Sequence, residues 1–164
     1  MSAGAYAFLY FQDSEQLLPA IDSIQAMPAV TTWHAVDGHY HLALTLSDGS
    51  TELRDTLNAL PGLETMLFCP VDKIISDGLS VESEPSYAWL TMEVDTAKRD
   101  AVEASLTALP ATTLCVLAFG ECGAVAAVTG PTFEAVDKIV EKEIRPLDGV
   151  LRVKRDWIID LTQI

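Results

Sequence analysis

Every histidine in the chain falls in one short window, at His34, His39 and His41. Imidazole is the commonest protein metal ligand and titrates near neutral pH, so such clustering raises metal binding and acid–base chemistry together. The last two sit in Asp37-Gly38-His39-Tyr40-His41-Leu42-Ala43-Leu44, where Asp-Gly is a dipeptide that favours a tight hairpin because it supplies positive φ at little steric cost. With Asp37 and Gly38 as the central turn residues, Val36 faces His39, His34 faces His41, and strand alternation places all three imidazoles on one face. Three imidazoles at cross-strand distance could bind Zn or Cu and leave a position open. The same face, joined by Glu121, would serve acid–base catalysis. The competing expectation is a hairpin end whose imidazoles hydrogen-bond to backbone or water. Register decides between these, since one extra loop residue moves His39 and His41 to the other face. That other face receives Trp33, Ala35, Tyr40, Leu42 and Leu44, an apolar set suited to meeting helices.

The three cysteines, Cys69, Cys115 and Cys122, have no CxxC spacing and read as reduced core thiols. Cys115 and Cys122 share a face if Phe119-Gly120 is the turn between them. A redox pair there would need Cα atoms within about 7 Å, which diagonal ladder neighbours seldom present correctly. Cys69, before Pro70, reads as a core residue ending at an edge or bulge. Trp33, Trp89 and Trp157 fall in strand-like segments, where large aromatics supply core or interface area or stack on a planar ligand.

The elements that carry these residues occur twice. AYAFLYF is an apolar run of strand length, and Ser14 is placed to cap EQLLPAIDSIQAMP, where Leu17, Leu18, Ile21 and Ile24 recur at helical spacing. AVTTWHAV and HYHLALTL follow as two strands, then STELRDTLNALPGL as a helix with Leu53, Leu57 and Leu60 on one stripe, then ETMLFCPVDKII as a strand. The grammar restarts after Ser86 with YAWLTMEVD and ends in VLRVKRDWIIDL. Tyr6 matches Tyr87, Pro28 matches Pro110, Gly38 matches Gly120 and Gly62 matches Gly149, the signature of an internal duplication. The expected organisation is α+β, two tandem βαββαβ units over 1–76 and 86–164 joined by a Ser, Glu and Gly-rich linker at 77–85. Strands apolar on both sides need cover on both faces, yet each copy has helices for one. The antiparallel sheets are therefore expected to pack face to face, and a sheet edge left open by each unit, or the helices of neighbouring copies, is the expected contact for a homo-oligomer.

Composition narrows the function. The chain has 164 residues, is 49% hydrophobic and carries a formal charge of −14. Phosphate backbones and anionic membranes are repelled by that charge, and Arg152-Val153-Lys154-Arg155 is too short and too close to Asp156 to bind nucleic acid. The N-terminal MSAGAYAFLYFQDSEQ has no basic n-region and only a brief apolar run, so the expectation is a cytoplasmic protein without a signal peptide or membrane span. No nucleophile elbow, P-loop, GxGxxG or HExxH occurs, and no cofactor is expected.

The run AMPAVTTWHAVDGHYHLALTL followed by LRDTLNALPGLETMLF, and more loosely LPATTLCVLAFGECGAVAAV followed by IRPLDGVLRV, resembles the ligand-binding (RAM) domain of the Lrp/AsnC feast/famine regulators. It also resembles the wider dimeric α/β-barrel group, which includes small oxygenases and haem-using enzymes. The regulator resemblance implies two ferredoxin-like units forming within one chain what single-copy proteins form by dimerising. It also implies an effector module without the DNA-binding domain that family members usually carry. Small effectors such as amino acids would sit between units near the glycine loops, at Gly38, His39, Tyr40 and His41 and at Gly120, Glu121, Cys122 and Gly123. The family's usual acidic residue is replaced by His41 and Gly123, which removes a partner for an amino group. The expected function is small-molecule effector binding with output through oligomerisation or a partner regulatory protein. The alternative is a small enzyme using the His34, His39 and His41 face.

Overall fold

The computed structural model describes residues 3–77, 86–109, 112–120 and 122–159. Strand β1 (Ala5–Phe11) leads through a 3₁₀ turn to helix α1 (Leu17–Gln25), then β2 (Val30–Asp37), β3 (Leu42–Leu46), α2 (Thr51–Asn58) and β4 (Leu63–Asp77). The second unit repeats the order as β5 (Ser86–Val94), α3 (Arg99–Thr107), β6 (Thr112–Ala118), β7 (Ala124–Gly130), α4 (Phe133–Ile139) and β8 (Val150–Ile159). Strand β4 extends to Asp77, and the remainder of the expected linker, 78–85, lies outside the described residues. Helix starts follow side-chain chemistry: Ser50 accepts from Leu53 N–H and Thr132 from Ala135 N–H. Before α1, Asp13 rather than Ser14 supplies the cap, accepting from Glu15 N–H. Ile21 and Ile24 of α1 are buried, whereas Leu18 is 72% exposed.

The strands close into one barrel in the order β1-β3-β2-β8-β5-β7-β6-β4, with every neighbouring pair antiparallel. The α+β class and the tandem ferredoxin-like units are as the sequence implies. The units join edge to edge: β2 pairs with β8 through Val36 opposite Ile158, and β4 pairs with β6 through Ile74 opposite Val116. Closure satisfies the edge donors and acceptors that each unit would otherwise expose. Among the described residues the closed barrel leaves no open strand edge for oligomer contact, and the helices remain as the other expected contact.

Three apolar clusters result. Helices α1 and α2 cover Ala5, Ala7, Leu9, Leu42, Leu44 and Leu46. Helices α3 and α4 cover Ala88, Leu90, Met92, Ala124 and Ala126. The third cluster fills the barrel, with Tyr6, Phe8, Tyr87, Trp89, Leu114, Val116, Val125 and Ala127 contributed by both units. Tyr6 and Phe8 lie 5.5 and 6.1 Å from the Trp89 ring, so the two copies interlock at the centre. Among the described residues no helix is long and apolar enough to cross a membrane.

Strands β1, β2, β5 and β6 point one way, because each is antiparallel to both neighbours. The β2–β3 and β6–β7 hairpins therefore open at the same end of the barrel, where β4 and β8 begin.

Candidate functional site

The first hairpin is longer than the tight turn expected. Val36 N–H donates to His41 O at 2.9 Å, and His34 lies opposite Ala43 rather than His41. Residues 37–40 thus form a loop, because Gly38 and the two residues after it are drawn onto β8. Asp156 Oδ1 accepts the backbone N–H of His39 at 2.5 Å and of Tyr40 at 2.8 Å. Gly38 has φ +151°, and a Cβ there would stand 2.5 Å from Arg155 O and 2.9 Å from Asp156 Oδ1. Only glycine allows this approach.

The three histidines consequently have three different surroundings, and the proposed metal set is not assembled. His34 faces the barrel interior, where Trp89 Nε1–H points at its Nδ1 at 3.4 Å and burial holds its pKa below the ordinary value. His41 stacks on Tyr10 with ring centroids 4.7 Å apart, and its Nδ1 accepts Phe11 N–H at 3.0 Å. His39 lies in the loop with its side chain exposed. Among the described residues no three His, Cys, Asp or Glu side chains are grouped to hold a metal ion.

Tyr40 also departs from expectation. It leaves the ladder and turns into the barrel, 5.6 Å from the Phe8 ring, while Trp33, Ala35, Leu42 and Leu44 meet the helices as expected. The second hairpin behaves alike: Ala118 N–H donates to Gly123 O at 3.0 Å, leaving a four-residue loop that contains Cys122. Cys115 then faces α3 and α4 while Cys122 faces the barrel interior, so they do not share a face. Cys122 instead packs in the same cluster as Cys69 of β4, and its S–H donates to Ala124 O at 3.2 Å.

Strand β8 supplies the polar wall. Period-two alternation turns Arg152, Lys154, Asp156 and Ile158 to one side, and Asp156 pairs with Trp89. A cavity of about 40 Å³ at the hairpin end is lined by Leu67, Thr91, Met92, Glu93, Cys122, Arg152 and Lys154. It shares Leu67, Arg152 and Lys154 with a more open cleft of about 380 Å³ that adds His39, Tyr40, Thr65 and Met66. Lys154 Nζ is 3.4 Å from Tyr40 Oη. Of the other expected ligand residues, Gly38 packs on β8, His41 packs on Tyr10, and Gly120 lines separate surface clefts beside Phe119. Glu121 lies outside the described residues.

The electrostatics follow from burial in a mixed environment. Asp156 is fully buried. Desolvation raises its pKa above the ordinary carboxylate value, against the two N–H donors and the nearby Lys154 charge. Tyr40 is pushed up to about 12, first by burial and then by the Asp156 charge. The Cys122 thiol is drawn down by the Cys69 hydrogen bond, against burial, with help from Lys154. Among the buried side-chain atoms without a hydrogen-bond partner are Ser76 Oγ, Arg155 Nε, Asp156 Oδ2 and Thr91 Oγ1, the last on the cavity wall. Arg152 and Lys154, like Arg54 and Lys142, form no ion pair among the described residues, whereas Lys73, Lys98, Arg99, Lys138, Arg145 and Arg155 all do.

Asp156, Lys154, Arg152 and Thr91 were not foreseen as site residues. The signal lay in RVKRDWII, where charges recur at alternate positions of a strand that must be covered on both faces.

The architecture is that of the dimeric α/β-barrel proteins, here with both ferredoxin-like units in one chain. The siroheme decarboxylase NirDL superposes with a TM-score of 0.73 at 12% identity, over 95% of this chain and 71% of that one. Its co-complex with an iron-uroporphyrin III analogue gives 0.72 at 11% identity over the same shares. FFRP-DM1 matches over 45% of this chain and 99% of its own at 20% identity and a TM-score of 0.43, a likeness too slight to carry an argument. No protein-family model matches the chain, and no curated protein matches it in sequence.

Proposed function

We propose that the protein is an effector-binding module that takes a small anionic metabolite, a carboxylate in the first instance, at the hairpin end of the barrel. One observation carries this reading: Lys154 and Arg152, without ion-pair partners in a chain of net charge −14, line the same cavity as the unpartnered hydroxyl of Thr91. Glu93 is the one carboxylate on that cavity wall, so the two cations leave the wall with a net positive charge, which favours an anion. The orphaned hydroxyl supplies a directional hydrogen bond that water or a ligand oxygen would complete. Tyr40 and His39 rim the opening, and Leu67 and Met66 offer apolar contact for the ligand's carbon frame.

The Lrp/AsnC-like reading, in which paired ferredoxin-like units hold an effector between them, fits this placement, although the glycines themselves stand back from the cavity. Output would run through assembly or a partner protein, by the ligand's differential affinity for two states. The helix-covered outer surface is the face available for either. Sirohaem-type ligands, which the NirDL name brings to mind, suit the site poorly. Tyr6, Phe8, Tyr40 and Trp89 fill the barrel, and the cavity of about 40 Å³ at its end is far below the size of ordinary ligand pockets for a macrocycle. An enzyme using the histidine face has less support, because His34 and His41 each have a ring nitrogen engaged by the protein and His39 stands apart.

The test is calorimetry against a panel of mono- and dicarboxylates, with matched amines and neutral amides. Binding of carboxylates that falls tenfold or more in Lys154→Met and in Arg152→Ala supports the reading. Equal binding of amides, or affinity unchanged in both variants, would sink it.

A further inference from the structure

We propose that Cys69 and Cys122 are a reversible redox pair that joins the two units inside the barrel when a peroxide enters the cavity. The pair spans the duplication: Cys69 lies on β4 of the first unit and Cys122 on the hairpin loop of the second, both belong to the cluster that fills the barrel, and Phe119 N–H, where that loop begins, donates to the O of Pro70, the neighbour of Cys69, at 2.9 Å. Both are buried, at 0% and 2% exposure, yet Cys122 lines the cavity together with Lys154 and Arg152.

The residues around Cys122 suit a nucleophilic thiolate. The Cys69 hydrogen bond and the Lys154 charge favour the deprotonated form, which is the reactive one. Cys115 provides the contrast, since burial against α3 and α4 pushes its thiol up to about 12. The Cys122 thiolate attacks one peroxide oxygen: the S–O bond forms, the O–O bond breaks, and hydroxide leaves and is protonated to water. The Cys69 sulfur then attacks the Cys122 sulfenic sulfur, the S–S bond forms, the S–O bond breaks, and the departing hydroxide takes the Cys69 proton as a second water. In sum two thiols and one hydrogen peroxide give one disulfide and two waters. A dithiol reductant returns the pair.

The two thiols occupy positions where the duplicated unit has a different connection. Cys69 follows Gly62, and Asp156 follows Gly149, at the same interval; Cys122 follows Gly120, and Tyr40 follows Gly38, likewise. Where Asp156 ties the first hairpin by hydrogen bonds, the thiol pair would tie the second covalently. The inference does not depend on which metabolite, if any, the cavity binds.

The experiment treats the full chain with stoichiometric hydrogen peroxide, quenches with an alkylating agent under denaturation, and maps peptides without reduction. Cleavage after Glu121 is needed, because no Lys or Arg separates Cys115 from Cys122. The expected result is a Cys69–Cys122 linked pair, Cys115 alkylated, and full reversal by dithiothreitol. Cys115→Ala should leave the link unchanged, and Cys122→Ser should abolish it. Three unmodified thiols, a link involving Cys115, an intermolecular disulfide or an overoxidised Cys122 without a partner would each overturn the proposal. Because the wild-type map alone decides, a variant that fails to fold does not blunt the test.

Discussion

Replacing Asp156 tests how the two units are held together at the hairpin end. Its Oδ1 accepts two backbone N–H groups from the opposite unit, and hydrogen bonds to a charged acceptor contribute roughly 1.5–3 kcal/mol each. In Asp156→Ala both are lost. The His39 N–H sits at the rim and regains water, but Tyr40 is 7% exposed, and a buried donor left unpaired costs roughly 1–3 kcal/mol. Against these losses stands relief from burying a carboxyl whose Oδ2 has no partner. The net expectation is a loss of about 3 kcal/mol, a fall in Tm of roughly 6–12 °C for a chain of this size. Asp156→Asn keeps an acceptor oxygen toward both amides and removes the buried charge, so it should stay within about 1 kcal/mol of the parent. The two also differ in pH dependence. Burial raises the folded pKa of Asp156 above 3.8, so the folded state holds the proton more tightly than the unfolded chain. The associated stability is complete below about 3.8 and is lost as pH rises through the folded pKa. The parent minus Asp156→Asn difference, from urea unfolding at a series of pH values, should therefore decline upward from pH 4 and then level. An Asp156→Ala protein within 0.5 kcal/mol of the parent, or a difference flat in pH, would refute the latch.

Gly38→Ala should destabilise by roughly 2–3 kcal/mol, since its Cβ would strike the β8 backbone in addition to the strain of positive φ. Gly120→Ala, at φ +82° with nothing within 4 Å of the added Cβ, should cost only the backbone strain, about 1 kcal/mol; paired denaturation curves compare them. His34 has its pKa lowered by burial, so the folded state resists its protonation and stability is lost as pH falls below 6.5. That acid limb should vanish in His34→Leu, and an unchanged limb would place it elsewhere. Leu18→Ser, on the exposed side of α1, should lie within about 0.5 kcal/mol of the parent, whereas Ile24→Ala, fully buried, should lose roughly 2–5 kcal/mol.

The duplication was legible because glycine and apolar spacing carry architecture directly. Gly38, Gly62, Gly120 and Gly149, matched in pairs by sequence, are the positive-φ residues of the described chain. Strands such as AYAFLYF, apolar at every position, announced cover on both faces, and the barrel provides it. Loop geometry was not legible. Asp-Gly suggested a two-residue turn, but the contact with Asp156 is 117 positions away in sequence and pulls the loop out to four residues. That one long-range contact displaced His39 from the ladder and turned Tyr40 inward. It dissolved the histidine set while creating a site that local pattern could not show. In the sequence Arg152, Lys154 and Asp156 form only a run too short and too mixed in charge to bind nucleic acid, and it takes the β2–β8 and β5–β8 pairings to reveal that alternate members face inward.

Covalent duplication explains why that site is one-sided. A barrel made from two identical chains repeats every inward residue across its axis, so a cation on one wall faces the same cation on the other. Here the equivalents have diverged: Lys154 corresponds to Leu67, Asp156 to Cys69, Tyr40 to Cys122 and Thr91 to Tyr10, counting from the matched glycines and tyrosines. The cavity thereby has a polar, cationic wall from β8 and an apolar wall from β4. An asymmetric ligand, with a charged end and a carbon frame, can be oriented in such a space, whereas a symmetric dimer would present it with two equivalent poses. Restoring the symmetry is accordingly the sharper perturbation. Leu67→Lys places a second cation opposite Lys154 and, at roughly 1 to 4 kcal/mol for two unit charges 4 Å apart between bulk water and a protein-surface dielectric, should lower stability in low salt. A dicarboxylate should offset that loss more than a monocarboxylate does. Equal rescue by both, measured as the shift in Tm at matched ligand concentration, would show that the two walls do not share one ligand.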